Sequence, residues 1–321
     1  MAMARTGSSA QVAAHSAARR SPPTARVVRV LDFLVARQGR RFGLSEIARE
    51  LGLSKPTCLG ILTELTESGY LVRDEAARTY GLGPALIAAG RGAQRDFAAA
   101  GVARRGLAEL SERYAATCTA SAVVGEQIMI LERTGAASGG AAGIGQRYPF
   151  APPVGLMYVL WDADDEFDRW LAKEPTLPVR LDTGHLRRVV AECRRRGYLV
   201  ESLSPAGLRL HSLLAGVAAY ELPAEVRELV GEMVSSLGER VYLDADLAPR
   251  RKHPVSLLAA PTFDADGRQE LVLTLHIGGA ISGAEIERRG AALTEVAARV
   301  TAEVGGAPLD SKITRGTSGS R

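Results

Sequence analysis

The basic side chains near the start of this 321-residue sequence have the types and spacing that most clearly suggest a chemical task. Residues 1–93 hold 13 Lys and Arg against 7 Asp and Glu, whereas the remaining residues hold 27 against 29. A basic segment on a slightly acidic chain predicts a polyanionic partner, because Lys and Arg neutralise phosphates and release condensed counterions. For each basic residue the alternative is a solvated surface side chain. The candidate phosphate contacts are Arg26, Arg40, Arg41, Lys55, Arg73 and Arg78.

Residues that perform catalysis or bind metals form no comparable pattern. The acidic run at 162–168 lacks the Gly and the final Glu of a calcium loop. No nucleotide-binding loop or catalytic-triad order is present, and the histidines have no carboxylate partner nearby in the sequence. We therefore expect no catalysis, no cofactor and no metal, with an enzyme as the rival class. Three widely separated cysteines argue against a disulfide scaffold and fit a reducing cytoplasm.

Two short helices joined by a tight corner must position the basic residues. Apolar residues recur at helical spacing over 24–37 and again over 44–51, where Gly52 ends the helix. A third helix begins between Ser54 and Pro56, since proline is tolerated in a first turn. Its inward face is Cys58, Ile61, Leu62 and Leu65.

The outward face of the third helix carries few charges. It holds Lys55, Pro56, Leu59, Gly60, Thr63 and Thr66, and Thr57 stands in the first turn, where hydroxyl and N–H groups meet phosphates. No arginine is present for bidentate contact with guanine, whereas Leu59 suits a thymine methyl group. Gly60 suits close backbone approach, although it costs about 1 kcal/mol of helix propensity relative to Ala. The alternative is that Leu59 and Gly60 arose by sequence drift in a helix that binds DNA only weakly.

The segment after the third helix predicts a two-stranded wing. "YLV" and "TYGL" read as strands that flank a polar loop around Asp74 to Arg78. The order of helix, helix, tight turn, helix and wing is that of a winged helix-turn-helix, which places its second helix in a major groove. A helical hairpin inside a larger core is the alternative. We assign residues 23–83 to this domain, with Ser54 also among its DNA contacts.

The remainder of the chain predicts an α+β domain over 99–305, preceded by a linker helix over 84–98. A hairpin turns at Gly125-Glu126, and a second turns at Asp266-Gly267. Helices are expected over 99–115, 156–172, 181–196, 222–241 and 283–305, with a strand over 198–202. Antiparallel strands with helices packed on them give the α+β class.

The ends of the chain predict no packed structure and no membrane segment. Residues 1–22 are rich in Ala, Ser and Arg without periodicity, so we expect a disordered tail, with a transit peptide as the alternative. Residues 306–321 read as a second tail. The longest apolar run, 151–161, is too short to span a bilayer.

In this order the pieces resemble the IclR family of bacterial transcription regulators over roughly residues 22–305. The matching pieces are "RVLDFL", "LSEIARELGLSKPT", "ESGYLVRDEAARTYGLGPAL", "LAELSERYAATCTASAVV", "GQRYPFAPPVG", "CRRRGYLVES" and "LLAAPTFDADGR". The resemblance implies a cytoplasmic homodimer, or dimer of dimers, that binds a double-stranded DNA operator. It also implies a C-terminal domain that binds a small effector, at Gly145, Arg147, Tyr148, Ser256 and Leu258.

Three departures from the family pattern qualify these expectations. Leu59 and Gly60 stand where the family has basic or polar residues. "APPVGL" at 151–156 is stiffer and more apolar than usual, which favours a bulkier or more hydrophobic effector, while Arg147 suits a carboxylate. Residues 203–254 read as an insertion. The alternative function is a metabolite sensor with weakened DNA binding that acts through protein partners.

Overall fold

A computed structural model describes residues 21–37, 39–135, 143–175, 181–203 and 240–307. The chain divides into two compact units, one ending at Gly92 and the other beginning at Ala93. Several predictions fall outside the described residues. These predictions concern nearly all of the two tails and the loop at 136–142. They also concern residues 204–239 of the predicted insertion, which include most of the helix expected over 222–241.

The N-terminal unit combines helices and a small sheet. Its elements are α1 Pro22–Val35, β1 Phe42–Gly43, α2 Leu44–Leu51, α3 Lys55–Glu67, β2 Leu71–Asp74 and β3 Thr79–Leu82. The helices meet through their apolar faces, which bury Val30, Ile47 and Leu62 completely. Gly52 ends α2 in the left-handed region at φ 62°, as predicted from the sequence. The inward face predicted for α3 is also correct, with Cys58, Leu62 and Leu65 buried.

The two wing strands pair as predicted. The sheet has the order β1–β3–β2, and all of its pairs are antiparallel. Asp74 shapes the turn between the wing strands, because its Oδ1 accepts from the N–H groups of Ala76 and Ala77 at 3.0 Å each. A winged helix-turn-helix therefore forms the start of the chain.

Two consecutive helices follow the wing. Helix α4 spans Ala85–Asp96 and helix α5 spans Ala98–Tyr114. Phe97 separates them, with φ −114° and ψ 50°, outside the helical region. The predicted domain limits at 84, 98 and 305 remain predictions.

The C-terminal unit is built on a seven-stranded antiparallel sheet. The strand order is β6–β5–β4–β10–β9–β7–β8. The strands are β4 Cys118–Val124, β5 Gln127–Thr134, β6 Arg147–Pro149, β7 Leu199–Ser202, β8 Arg240–Val241, β9 Lys252–Phe263 and β10 Gln269–Ser282. Both predicted hairpins form, β4–β5 and β9–β10, so the α+β class is confirmed.

Helices cover both faces of this sheet. On one face, α5 and the last helix, α8 Gly283–Glu303, bury a core that includes Leu107, Leu258 and Leu293. On the other face lie two 3-10 turns, Leu156–Tyr158 and Asp244–Asp246, with α6 Asp164–Leu171 and α7 Thr183–Arg196. Their core includes Trp170 and Val189. Among the described residues, no helix is long and apolar enough to cross a membrane.

The helix predicted over 156–172 is wrong in extent. Only a 3-10 turn at Leu156–Tyr158 and helix α6 form there. Val159, Leu160 and Trp161 are all buried, and a helix would turn one of three successive residues toward solvent. Trp161 is further held by its Nε1, which donates to the carbonyl of Cys193 at 2.9 Å. The helix starts after this segment, where three acidic residues favour a helix N-terminus.

Candidate functional site

Helix α3 presents a surface suited to a DNA groove. Ser54 caps it, since its Oγ accepts from the N–H of Thr57 at 3.3 Å and contacts the Thr57 Oγ1 at 2.8 Å. This settles the ambiguity in the sequence, because Lys55 takes the first helical position despite preceding a proline. The exposed residues of the face are Lys55, Pro56, Leu59, Gly60 and Thr63.

Leu59 and Gly60 have no structural role within this unit. The Leu59 side chain is 46% exposed although the residue is apolar. A Cβ added at Gly60 would meet no atom within 4 Å, so packing does not require glycine there. By contrast, a Cβ on Gly106 of α5 would lie 2.4 Å from Val296, which explains that glycine by close helix packing. The open face around residues 59 and 60 is therefore free to approach another molecule.

The wing brings three of the basic candidates onto one small sheet. Arg41 lies across β3, with its Cγ 3.4 Å from the position a Gly81 Cβ would take. Arg73 is opposite Tyr80 in the β2–β3 register, and Arg78 directly precedes β3 in a left-handed conformation at φ 51°. All three are exposed, whereas Tyr80 is buried and belongs to the core. Arg26 and Arg40 are also exposed, on α1 and before β1.

The residues predicted for an effector do not share one surface. Arg147 on β6 is opposite Met129 on β5, and Met129 is opposite Ala122 on β4, so the three residues lie on the same face of the sheet. Ala122 belongs to the core that α5 and α8 cover, which places Arg147 on that face. Leu258 is fully buried in that same core. Tyr148 is next to Arg147 on β6 and so points to the opposite face. The structure therefore separates Tyr148 from Arg147 and Leu258.

The other two predicted effector residues lie apart from Tyr148 as well. Gly145 is exposed in the turn before β6, where its N–H donates to Ile130 at 2.8 Å. Ser256 is buried and bonds to the backbone of Leu203: its Oγ accepts from the N–H at 2.7 Å and donates to the carbonyl at 3.1 Å. The Ser256 hydroxyl thus acts both as donor and as acceptor to the backbone of Leu203, which follows β7.

A row of buried and half-buried polar side chains, which we call the polar layer, lies on the face of the sheet opposite α5 and α8. The Ser121 Oγ is 2.6 Å from the Tyr158 Oη, and the Thr119 Oγ1 is 3.2 Å from the His276 Nε2. Thr119 also pairs in register with Thr274. The members of the polar layer are Thr119, Ser121, Tyr148, Tyr158, Thr274 and His276.

Burial raises the pKa of both phenols of the polar layer above the ordinary value of 10.0. It raises the pKa of Tyr148 to about 12. Burial also raises the pKa of Tyr158. The hydrogen bond with Ser121 lowers this pKa in part, and the neighbouring Tyr148 raises it further. Each phenol therefore keeps a proton to donate.

The pattern that marks the polar layer is visible in the sequence. "CTASAVV" and "LTLHI" place polar residues two apart in otherwise apolar strands, as expected for one polar face. Tyr158 could not be found in this way, because its segment does not belong to a strand.

Comparisons with known proteins agree on one family. The IclR helix-turn-helix domain matches residues 23–75. The Glycerol operon regulatory protein of Streptomyces coelicolor is 46% identical over 57 residues, which cover 18% of this chain and 22% of that protein. The match thus spans about a fifth of the length of this curated relative. A protein of the same name from Streptomyces griseus is also 46% identical over 57 residues.

Solved structures extend the similarity to both units. An IclR transcriptional regulator from Alicyclobacillus acidocaldarius has a TM-score of 0.57 at 24% identity, covering 89% of this chain and all of that one. An IclR homolog from Microbacterium hydrocarbonoxydans, complexed with 4-hydroxybenzoate, has a TM-score of 0.56 at 19% identity, covering 88% and 98%. Residues 23–75 thus carry an IclR helix-turn-helix domain, and the solved structures share the fold of both units. At these identities the structures establish the fold of the second unit and nothing finer.

The apolar segment at 151–156 follows Phe150, which packs beside the polar layer. The Phe150 ring meets the Tyr158 ring edge to face, with centroids 6.4 Å apart. Gly155, at φ 103°, permits this approach, because a Cβ there would lie 2.8 Å from the Phe150 ring. The Phe150 ring thus lies against the Tyr158 phenol.

Proposed function

We propose that the protein is a DNA-binding transcription regulator whose operator binding responds to a small effector. The observation that carries the first part is the winged helix-turn-helix matched by the IclR domain, with the exposed face of α3 and the exposed arginines Arg41, Arg73 and Arg78 on its small sheet. In such domains the second helix enters the major groove while basic side chains hold the backbone. Lys55, Thr57 and Thr63 supply polar contacts, and Ser54 fixes the start of the helix.

The polar layer is our candidate for the effector site. Five hydroxyl groups and an imidazole on one sheet face provide donors and acceptors, and the ring of Phe150 supplies an apolar wall. Arg133 pairs in register with Thr119 and so lies on the same face, where a guanidinium suits a carboxylate. A small hydroxylated aromatic acid fits this chemistry better than a purely apolar ligand.

We further propose that the protein acts in the cytoplasm as a homodimer or a dimer of dimers. Two recognition helices then read two half-sites, and an effector changes operator affinity by favouring one arrangement of the helices. This assembly rests on the resemblance to IclR regulators. The exposed Leu59–Gly60 surface keeps a second candidate open: a metabolite sensor that binds DNA weakly and acts through protein partners.

The DNA proposal is tested by titrating the protein into labelled DNA from upstream of its own gene at several salt concentrations. Scrambled DNA of the same composition is the control. Selective binding with a steep salt dependence supports the regulator. Equal binding to both DNAs would reject it and favour the sensor.

The effector proposal has its own test, with 4-hydroxybenzoate and related hydroxylated aromatic acids as probes. Ligand binding is measured calorimetrically on the wild type and on Ser121→Ala. Thr294→Ala, which removes a hydroxyl from α8 on the other side of the sheet, is the matched control. Binding that is weakened by Ser121→Ala alone supports the polar layer. Unchanged binding in that variant would place the site elsewhere.

A further inference from the structure

A second candidate ligand site lies where α5 ends and α8 begins. A cleft of about 440 Å³ opens there. We call it the arginine cleft. It is lined by Arg113, Tyr114, Ala115, Glu285, Arg288 and Arg289. It belongs to the helical layer on the sheet face opposite the polar layer, so the two sites are distinct.

The arginine cleft carries an excess of two positive charges. Its one carboxylate, Glu285, is held by Arg288 in an ion pair and by Arg289, whose Nε donates to it at 2.6 Å. Arg113 forms no ion pair within the described part of the chain, and its guanidinium lies 5.2 Å from the centre of the Tyr114 ring. Three guanidinium groups line the cleft with a single carboxylate, which leaves positive charge for an added anion.

Tyr114 adds a buried polar group to this charge. Its ring lies between the guanidinium groups of Arg113 and Arg289, with the latter at 4.8 Å. Its Oη is buried and has no hydrogen-bond partner among the residues described. An unpaired buried hydroxyl is costly, so an oxygen atom that reaches the Tyr114 Oη once a flanking arginine side chain shifts, and accepts from it, gains free energy. Burial also lowers the pKa of Arg289, which shows that this guanidinium has lost part of its hydration.

From this geometry we infer that the arginine cleft binds a phosphate group, either free or as the monoester of a small molecule. A phosphate dianion matches the excess charge, whereas a single carboxylate would leave one positive charge unpaired. Its tetrahedral oxygens accept hydrogen bonds from several directions, as the spread of Arg113, Arg289 and Tyr114 requires. The inference does not depend on DNA binding or on the polar layer.

The test measures binding of inorganic phosphate and of methyl phosphate to the full chain, calorimetrically and at constant ionic strength. Tyr114→Phe removes only the Oη, and Arg113→Gln removes a guanidinium without breaking an ion pair among the described residues. Arg105→Gln is the matched control, because Arg105 lies on the same helix but pairs with Glu303. We expect roughly two- to tenfold weaker binding in Tyr114→Phe and about tenfold weaker binding in Arg113→Gln.

The outcomes separate the sources of the phosphate. Binding of both probes supports a monoester site, and binding of inorganic phosphate alone supports a site for the free ion. In either case the melting temperature should rise with the bound probe and fall back in the two cleft variants. Absence of binding by both probes, or equal weakening in Arg105→Gln, would overturn the inference.

Discussion

Replacing Leu59 by alanine tests whether the DNA-binding face of α3 reads DNA through an apolar contact. Full burial of a leucine side chain is worth about 1.5–3 kcal/mol, and the 46% of Leu59 that is exposed corresponds to about 1 kcal/mol. If Leu59 packs on a thymine methyl group, operator affinity should therefore fall about fivefold. Fold stability should change less than for a buried leucine, because nearly half of Leu59 is exposed in the free protein.

The assay is a fluorescence-anisotropy titration of the operator, together with a version in which deoxyuridine replaces thymidine. Deoxyuridine lacks the methyl group, so the effect of Leu59→Ala should largely vanish on that DNA. The slope of log affinity against log salt should stay constant, since no phosphate contact is lost. Val28→Ala is the control, because Val28 on α1 is 43% exposed. An equal loss on both DNAs, or no loss on either, would refute the methyl contact.

Three further predictions concern neighbouring groups and the buried thiols. Gly60→Ala should stabilise the fold by up to about 1 kcal/mol, because a Cβ there meets no atom, yet should weaken operator binding if the backbone approaches DNA closely; thermal unfolding and anisotropy measure the two effects. Lys55→Gln should weaken binding to operator and scrambled DNA alike and reduce the salt slope by about 1, and a loss confined to the operator would contradict a phosphate contact. Cys58, Cys118 and Cys193 should resist thiol reagents at pH 8 in the native protein and react after unfolding, because burial raises the pKa of each, to about 12 for Cys118 and Cys193. Since these folded pKa values exceed 9.0, the corresponding stability should be complete below pH 9 and be lost as the pH rises toward 12.

Local sequence features specified most elements of this fold. Gly52 and Gly197 end helices in the left-handed region, and the polar loop around Asp74 joins the wing strands. Hydrophobic spacing correctly gave the buried face of α3, because a helix fixes which of its residues share a side. These features depend on neighbours a few positions apart, so the order of residues is enough to predict them.

The effector residues remain predictions, because which residues form a site depends on contacts made across the sheet. The resemblance to the IclR family grouped Arg147, Tyr148 and Leu258. Strand register and the alternation of side chains place Tyr148 on one face of the sheet and the other two residues on the opposite face. The single helix predicted over 156–172 was wrong for a related reason. Three successive residues in this segment are buried by tertiary packing, which overrode the helical pattern of the sequence.

The sequence by itself thus determined the IclR-type winged helix-turn-helix and the α+β plan, since periodicity and turn chemistry are local. Only the tertiary structure joined Ser121 to Tyr158 and Thr119 to His276, or left the Tyr114 hydroxyl buried among arginines. Such pairs are separated by up to 157 positions, and strand register and helix packing alone decide which side chains share a face.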